Sequence, residues 1–336
     1  MKRILPLFLA LALLLTGCTA VSTTETTSQA VSQVDSPSSA PESASSQLES
    51  VGEVSITDSN GSQITLDTSA PRVVAAYGSF AEAWLLAGGE LCGVTQDALE
   101  QRDLGLPEDI AVVGTVKEPN AEEIIALEPD LVLLASDITA QADIRDVLEN
   151  AGLACAFFQV DTFADYAFMM EQLCAITGRE DLYEENVTQV GQQIEEAQAN
   201  AALSSTRPNV LLIRAFSTGI KAKTDDELAG AILKDLGAHN IADDHPSMLE
   251  DLSLEEVIAA DPDYIFVTTM GDEQKALDYL NGLIQQNPAW SELSAVKEDR
   301  YIVLPKDLFH YKPNNRWGES YQYLGEILYP ELFHEE

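Results

Sequence analysis

A segment of thirteen residues occurs twice in this chain. Residues 122–134 read EEIIALEPDLVLL, and residues 255–267, which start 133 positions later (255 against 122), read EEVIAADPDYIFV. In each copy an acidic start leads through a short apolar stretch to a proline, and a continuous apolar run follows. Such a run is typical of a strand that is buried on both faces. A helix–strand unit that recurs at this distance predicts two lobes of similar architecture.

The residues around the start of each copy predict the same helix cap. Asn120 precedes the first helix and Glu123 lies three positions later, and Ser253 and Glu256 repeat this spacing. In a capping box the side chain of the first residue accepts from the backbone of the N3 residue, and the N3 carboxylate accepts from the backbone of the first. We therefore expect two short, capped helices.

One glutamate of each copy is left over from this account. Pro129 and Pro262 end the helices, because the residue before a proline avoids the helical region. Glu122 and Glu255 gain only about 0.3–1 kcal/mol from lying near a helix N-terminus. We expect both to be exposed, one on each lobe, as two matching contact points for a partner with two-fold character.

The rest of the folded region alternates strands with helices. VSITDSNGSQITL (54–66) predicts a hairpin that turns at Asn-Gly. After the strand RVVAAY, Ser79 is the expected N-cap of a helix that stops at Gly88-Gly89. The remaining apolar runs predict buried strands of parallel sheets: AVVG (111–114), LVLLAS (131–136), ACAFFQV (154–160), NVLLIRAF (209–216), DYIFVTT (263–269) and YIVLP (301–305).

Between the two series, residues 179–205 contain no proline and a line of apolar residues at helical spacing. The predicted fold class is α/β, with two Rossmann-like lobes that have central parallel sheets. A single long α-helix bridges them, and the ligand cleft lies between the lobes. The predicted boundaries are an N-terminal lobe at 51–175, a linking helix at 176–206 and a C-terminal lobe at 207–336.

The N-terminus predicts export. Met1-Lys2-Arg3 is followed by ILPLFLALALLL and by LTGC, which ends at Cys18. This pattern is typical of a lipoprotein signal peptide at 1–17 whose cleavage frees Cys18 for acylation; the alternative is an ordinary signal peptide with a chance cysteine. Residues 19–50 contain 15 Ser or Thr and no aromatic residue, so 18–50 is predicted to be a disordered tether.

Charge narrows the partners. Of 18 basic residues, removal of Lys2 and Arg3 leaves 16 against 56 acidic residues, a net charge of −40. This argues against nucleic acid and suits a monomeric protein outside the cytoplasm. Cys92, Cys155 and Cys174 form neither a disulfide framework nor a metal-binding spacing, and a disulfide between Cys155 and Cys174 stays open.

Ligands of open α/β sheets bind beyond the carboxyl ends of the strands. Arg316 in the first turn of the last helix and Lys312 just before it put two cations where the helix dipole disfavours them, which indicates an anionic ligand group. Lys117 has the alternative of pairing with a nearby acid, and His310 that of an ordinary loop histidine. The candidate ligand-binding residues are Tyr77, Ser79, Lys117, Arg214, Lys221, Lys223, Met270, His310, Tyr311, Lys312 and Arg316.

The chain resembles the substrate-binding lipoproteins of ABC importers for iron–siderophore complexes, haem and cobalamin. TDSNGSQITLDTSAPRVVAAYGSFAEAWLLAGG, the two repeated segments and NPAWSELSAVKEDRYIVLP carry the resemblance, which covers most of 51–332. It implies a cleft ligand that is a small-molecule metal chelate, with no cofactor besides it. It also implies that Glu122 and Glu255 dock onto arginines of the membrane permease.

The sequence departs from parts of that family. Hydroxamate-siderophore members tend to carry an arginine near the position of Val116, whereas the basic residue here is Lys117. With four histidines in the chain and only His310 in a predicted cleft loop, direct capture of zinc or manganese is disfavoured. Haem with Met270 and His310 as axial ligands, cobalamin and a small oxyanion remain alternatives.

An enzyme and a surface sensor or adhesin are the two other classes of protein to consider. The chain has no G-x-S-x-G, no Walker A motif and no G-x-G-x-x-G after a strand, so an enzyme is not expected. A surface sensor or adhesin is the non-transport alternative, but such a protein has no evident use for the matching Glu122 and Glu255.

Overall fold

A computed structural model of the protein describes residues 52–250 and 252–333, apart from the side chain of Gln285. The predicted signal peptide, the tether and Cys18 lie outside the described residues. Within the described ranges, no helix combines the length and the apolarity that crossing a membrane requires.

The chain begins its described part with an antiparallel hairpin, followed by a parallel sheet with helices between its strands. In this first sheet the order is β5-β4-β3-β8-β9, and all four pairings are parallel. The elements are β1 Val54–Thr57, β2 Gln63–Leu66, β3 Val73–Ala75, α1 Gly78–Leu86, β4 Leu91–Val94, α2 Asp97–Glu100, β5 Ala111–Val112, β6 Gly114–Thr115, β7 Glu118–Pro119, α3 Ala121–Ala126, β8 Leu131–Ala135, α4 Thr139–Asp143, α5 Arg145–Asn150, β9 Ala154–Phe158 and α6 Phe163–Thr177.

A continuous helical segment then leads to the second half. It consists of α7 (Glu180–Tyr183), a π-helical stretch (Glu184–Thr188) and α8 (Gln189–Ala202). Its apolar line is buried, with Val190 and Ile194 among the covered residues. The single long helix expected from the sequence is therefore present, with one π-helical irregularity.

The second half forms another sheet, in the order β11-β10-β13-β14, with β12 paired to β10. Its strand pairings are parallel except for the hairpin of β10 and β11. The elements are β10 Asn209–Phe216, β11 Gly219–Lys223, α9 Leu228–Asp235, β12 His239–Asn240, α10 Ser247–Glu250, α11 Leu254–Ala260, β13 Tyr264–Thr269, α12 Glu273–Gln286, α13 Ser294–Lys297, β14 Tyr301–Val303, α14 Lys306–Phe309, α15 Trp317–Leu328 and α16 Pro330–Phe333, with 3-10 turns at Ile241–Asp243, Pro288–Glu292 and Asn314–Arg316.

Each sheet is covered on both faces. Leu131 and Leu133 of β8 belong to one buried cluster, and the alternate residues Val132 and Leu134 belong to another. The first of these clusters continues through α8 and α15 to one face of the second sheet, which includes Phe266. The predicted fold class is thus confirmed, and one buried core runs through both lobes. The lobe boundaries given above remain a proposal.

The repeat forms the same unit in each lobe. Glu128 and Asp261 lie directly before the prolines and have φ values of 47° and 42°. Asp130 and Asp263 occupy the last identical position of the repeat. The carboxylate of Asp130 accepts from the N–H of Arg72, just before strand β3, at 2.7 Å. The carboxylate of Asp263 accepts in the same way from the N–H of Asn209, the first residue of strand β10, at 2.8 Å. The repeated Pro-Asp pair therefore ends a helix and fixes the neighbouring strand.

The predicted capping boxes are half right. The side chain of Asn120 accepts from the backbone of Glu122 and Glu123, and Ser253 accepts from the backbone of Glu256. The reciprocal bonds are replaced by others. The N–H of Asn120 donates to the carbonyl of Val113 at 2.8 Å, and the carboxylate of Glu256 accepts from Ser247 at 3.0 Å.

The predicted N-cap of the first helix is wrong. Helix α1 begins at Gly78, so Ser79 lies inside it and Tyr77 precedes it. The N–H of Gly78 donates to the carboxylate of Asp97 at 2.7 Å, so a residue from outside the helix satisfies its first turn. A β-carbon on Gly78 would come within 2.8 Å of that carboxylate, which explains the glycine.

Candidate functional site

Two candidate residues follow β3 at the carboxyl edge of the first sheet. Tyr77 is half-buried, and burial, together with the Asp97 and Asp137 carboxylates, raises its pKa to about 12. Its phenol is therefore protonated at neutral pH and is able to donate a hydrogen bond. Ser79 is buried, and its hydroxyl accepts from Arg102 at 2.7 Å.

Lys117 stands near this edge on the turn between β6 and β7. It is exposed, and no ion pair to it exists within the described ranges. The buried amide of Gln141 donates to the carbonyls of Ala76 and Val116, at 2.7 and 3.1 Å. The side chain of Gln141 thus links Ala76 and Val116, which directly precede Tyr77 and Lys117.

His310 and Tyr311 follow α14 at the carboxyl edge of the second sheet. Burial, and then the charges of Arg214, Lys306 and Lys312, lower the pKa of His310 to about 4. The imidazole is therefore neutral at physiological pH, and its Nδ1 is buried without a hydrogen-bond partner among the described residues. Three cations face one side chain here, in a protein whose net charge is strongly negative.

The hairpin of β10 and β11 carries three more candidates on one face. Arg214 pairs across the strands with Lys221, and Lys223 lies two residues further on the same face. Lys221 and Lys223 both belong to the antiparallel strand β11. Glu227 bridges Arg214 and Lys223, with the Lys223 ammonium at 2.7 Å. Two of the three cations therefore share one carboxylate, and Lys221 is exposed with no ion pair within the described ranges.

The cations around the last helix are less free than the sequence suggested. Arg316 binds Asp307 at 2.7 Å and Glu319 at 2.7 and 2.9 Å. Lys312 pairs with Asp161 at 3.2 Å. Two acidic partners neutralise Arg316, so it is a weak candidate for holding an anionic ligand. Some of these acidic partners are near in the chain and Asp161 is far from Lys312, and the sequence alone does not reveal which acid pairs with which cation.

Tyr311 marks where the two carboxyl edges come together. Burial raises the pKa of its phenol, which Arg102 and Asp97 of the first lobe and Glu273 and Asp307 of the second also influence. A cavity of about 290 Å³ lies at this junction, and Glu82, Gln101, Arg102, Asp103, Asp307, Tyr311, Pro313 and Arg316 line it. Met270, by contrast, stands in the loop after β13 and is 40% exposed.

Sequence reasoning missed Arg102 and Lys306. Arg102 contacts residues of both lobes, and the ammonium of Lys306 donates to the carbonyl of Gly271 at 2.5 Å. The small number of basic residues could have indicated them: with 18 Lys and Arg against 56 Asp and Glu, each basic residue near the end of a strand is a candidate for the site.

Within the described ranges, no cluster of three or more His, Cys, Asp and Glu side chains could hold a metal ion. Cys92, Cys155 and Cys174 are free thiols, so the possible disulfide is not formed. A larger cavity, of about 660 Å³, lies between α8 and α15 and is lined by Glu196, Glu319 and Glu326. None of the candidate ligand-binding residues lines it, and its acidic lining does not suit an anion.

Glu122 and Glu255 are both exposed, each in the first turn of its helix, α3 or α11. They occupy equivalent places in the two repeated units, as the sequence predicted. Neither carboxylate forms an ion pair within the described ranges.

The fold agrees with what comparison with known proteins shows. Residues 73–308 match the periplasmic binding protein family, and the chain belongs to that family. Its relatives are solute-binding proteins of transporters and not enzymes, which confirms the expectation that this protein is a binding protein.

Three relatives illustrate the family. The Fe(3+)-citrate-binding protein YfmC of Bacillus subtilis is 26% identical over 273 residues, which cover 78% of this chain and 82% of that protein. The structure of Staphylococcus aureus IsdE complexed with heme has a TM-score of 0.63 at 18% identity, covering 77% of this chain and 99% of the other. The structure of Staphylococcus aureus SirA complexed with staphyloferrin B has a TM-score of 0.62 at 19% identity, covering 84% and 99%.

Proposed function

We propose that this protein is the extracytoplasmic receptor of an ABC importer, that it captures an anionic iron chelate between its lobes, and that it delivers the chelate to the permease. A lipid on Cys18 would hold it at the membrane, and it would work as a monomer. Family membership supports the receptor role, and the names of the relatives, which include an Fe(3+)-citrate-binding protein, support the iron complex.

The single observation that carries the charge of the ligand is the set of cations around His310. Burial is the main cause that lowers its pKa to about 4, and the charges of Arg214, Lys306 and Lys312 lower it further. A local positive field in a chain of net charge −38 attracts anions and repels cations. Tyr77 and the other half-buried phenol, Tyr311, add hydrogen-bond donors suited to carboxylate or catecholate oxygens.

A titration of the ligand-free protein, followed by tryptophan fluorescence, tests this proposal. Ferric citrate and a ferric catecholate are expected to bind at least about tenfold more tightly than a cationic ferric hydroxamate of similar size. Arg214→Met should weaken binding of the anionic complexes, since it removes charge and keeps the apolar stem. Preference for the cationic complex would contradict an anionic ligand.

Haem is the second candidate. The neutral imidazole of His310 is the observation that favours it, because an unprotonated ring nitrogen is required to coordinate iron. Met270 and His310 follow the adjacent strands β13 and β14. Haemin titration would then produce a shifted Soret band that His310→Ala removes. A Soret band unchanged from free haemin would reject this candidate.

A further inference from the structure

The segment after α14 crosses from the second lobe to the first. At its centre, Asn314 is fully buried and has a φ of 51°, which L-residues other than Asn and Asp rarely adopt. Its amide donates to the carbonyl of Ser79 at 3.0 Å and to the carboxylate of Glu82 at 2.5 Å. Both acceptors belong to α1, so a loop of the second lobe is bonded to the first helix of the other.

Arg102 also binds this segment and helix α1. Its side chain is 10% exposed and forms an ion pair with Glu82. The guanidinium also donates to the hydroxyl of Ser79 at 2.7 Å and to the carbonyl of Lys312 at 2.9 Å. Burying a charged group is costly unless it is paired and hydrogen-bonded. The acceptors that meet this requirement for Arg102 come from both lobes.

Two further bonds flank this centre. Lys312 reaches Asp161 of the first lobe at 3.2 Å, and the amide of Asn315 donates to Asn186 in the linking helical segment at 3.0 Å. Asn186 in turn donates to the carbonyl of Leu86 at the end of α1, at 3.2 Å. The lobes are thus joined at a second place besides the chain of the linking helix.

We propose that Arg102 and Asn314 are positioning residues for the ligand cleft. By holding residues 312–316 against α1, they fix Tyr311 and Lys312 at a set distance from Tyr77 and Ser79. The width of the cleft is therefore preset by this lock, defined as Glu82, Arg102 and Asn314, and not by the linking helix alone. The identity of the ligand in the cleft rests on the proposed function, whereas the contacts that form the lock do not depend on it.

Hydrogen exchange of the ligand-free full chain tests the lock without any ligand. Asn314→Gly keeps the left-handed backbone and removes the amide, and Arg102→Gln removes the charge. Each is expected to speed amide exchange in residues 311–316 and in the first turn of α1 about tenfold or more. Exchange in β8 and β13 should stay at the wild-type rate. Arg179→Gln is the control, because Arg179 directly precedes α7 and, within the described ranges, forms an ion pair only with Asp181 of that helix.

Asn314→Asp separates the donor role from simple space filling. Aspartate has nearly the same shape and tolerates the same backbone, but its carboxylate cannot donate to Ser79 or Glu82 and repels the latter. It should open the segment at least as much as glycine does. Wild-type exchange in Asn314→Asp, or an equal rise in β8 and β13 in all variants, would overturn the lock. Failure of every iron complex to bind would leave this result unaffected.

Discussion

At the scale of the residue, the charge of the cleft depends on which of its cations are paired with acidic side chains. Glu227 serves both Arg214 and Lys223, and Arg316 has two acidic partners of its own. Arg214, Lys306 and Lys312 still act on His310, although Glu227 pairs with Arg214 and Asp161 pairs with Lys312. A half-buried neutral imidazole beside these cations makes this part of the cleft sensitive to acid.

Stability should report the protonation of His310. Its folded pKa is about 4, below its ordinary value of 6.5, so the unfolded chain takes up the proton first as the pH falls. The contribution of His310 is fully present above pH 6.5 and is lost progressively toward pH 4. In urea unfolding at several pH values, His310→Gln should therefore lose less stability than wild type across this window. Parallel losses in the two proteins would show that His310 does not titrate in this way.

At the scale of the element, the two repeated units differ in how each stabilises the turn before its proline. Both Glu128 and Asp261 take up left-handed backbone conformations. The carboxylate of Asp261 accepts from the N–H and the hydroxyl of Ser294, at 2.8 and 2.7 Å. Glu128 is exposed, with no side-chain hydrogen bond within the described ranges. The same fold position is thus strained in one lobe and compensated in the other.

Glycine at these two positions should have opposite effects. Glu128→Gly relieves the left-handed conformation and should raise the free energy of unfolding by up to about 1 kcal/mol. Asp261→Gly relieves the same conformation but removes the bonds to Ser294, and should lower it. Urea denaturation of the matched pair is the measurement. A rise in both variants would mean that the hydrogen bonds of Asp261 contribute less than the backbone relief, and a fall in Glu128→Gly would contradict strain at Glu128.

Elements of this kind could be predicted because their causes are local. Caps, prolines and apolar runs lie within a few residues of the structure they produce, so the helix–strand units and the linking helix were found from the sequence. Glu82 accepts from Arg102 and from Asn314, which lie 20 and 232 residues away in the chain, and no local pattern encodes these two contacts. The same holds for Glu227 with Arg214, and so the availability of each cation was misjudged.

At the scale of the whole molecule, one buried core and one polar lock connect two similar lobes. A receptor of this build should change shape little on binding, and we propose that the permease recognises the spacing of fixed surface features. Glu122 and Glu255 stand at equivalent exposed positions of the two lobes. The proposed docking function assigns them to a pair of arginines on the permease.

Charge reversal at both glutamates tests this assignment. Glu122→Arg combined with Glu255→Arg should abolish uptake of the iron complex by cells while the affinity of the isolated protein for it is unchanged. The control combines Glu184→Arg with Glu195→Arg, two exposed positions of the linking segment that carry the same charge change. Uptake that survives the first pair, or a loss of ligand affinity, would refute docking through these residues.

The central claim is that the cleft holds an anionic iron complex, and native mass spectrometry of the protein purified from its own host tests it most directly. We predict a bound species whose mass includes one ferric ion and an organic chelator, with a charge-transfer absorption band and no Soret band. A Soret band would replace the chelate with haem. A bound species without iron, or a cationic complex, would contradict the account.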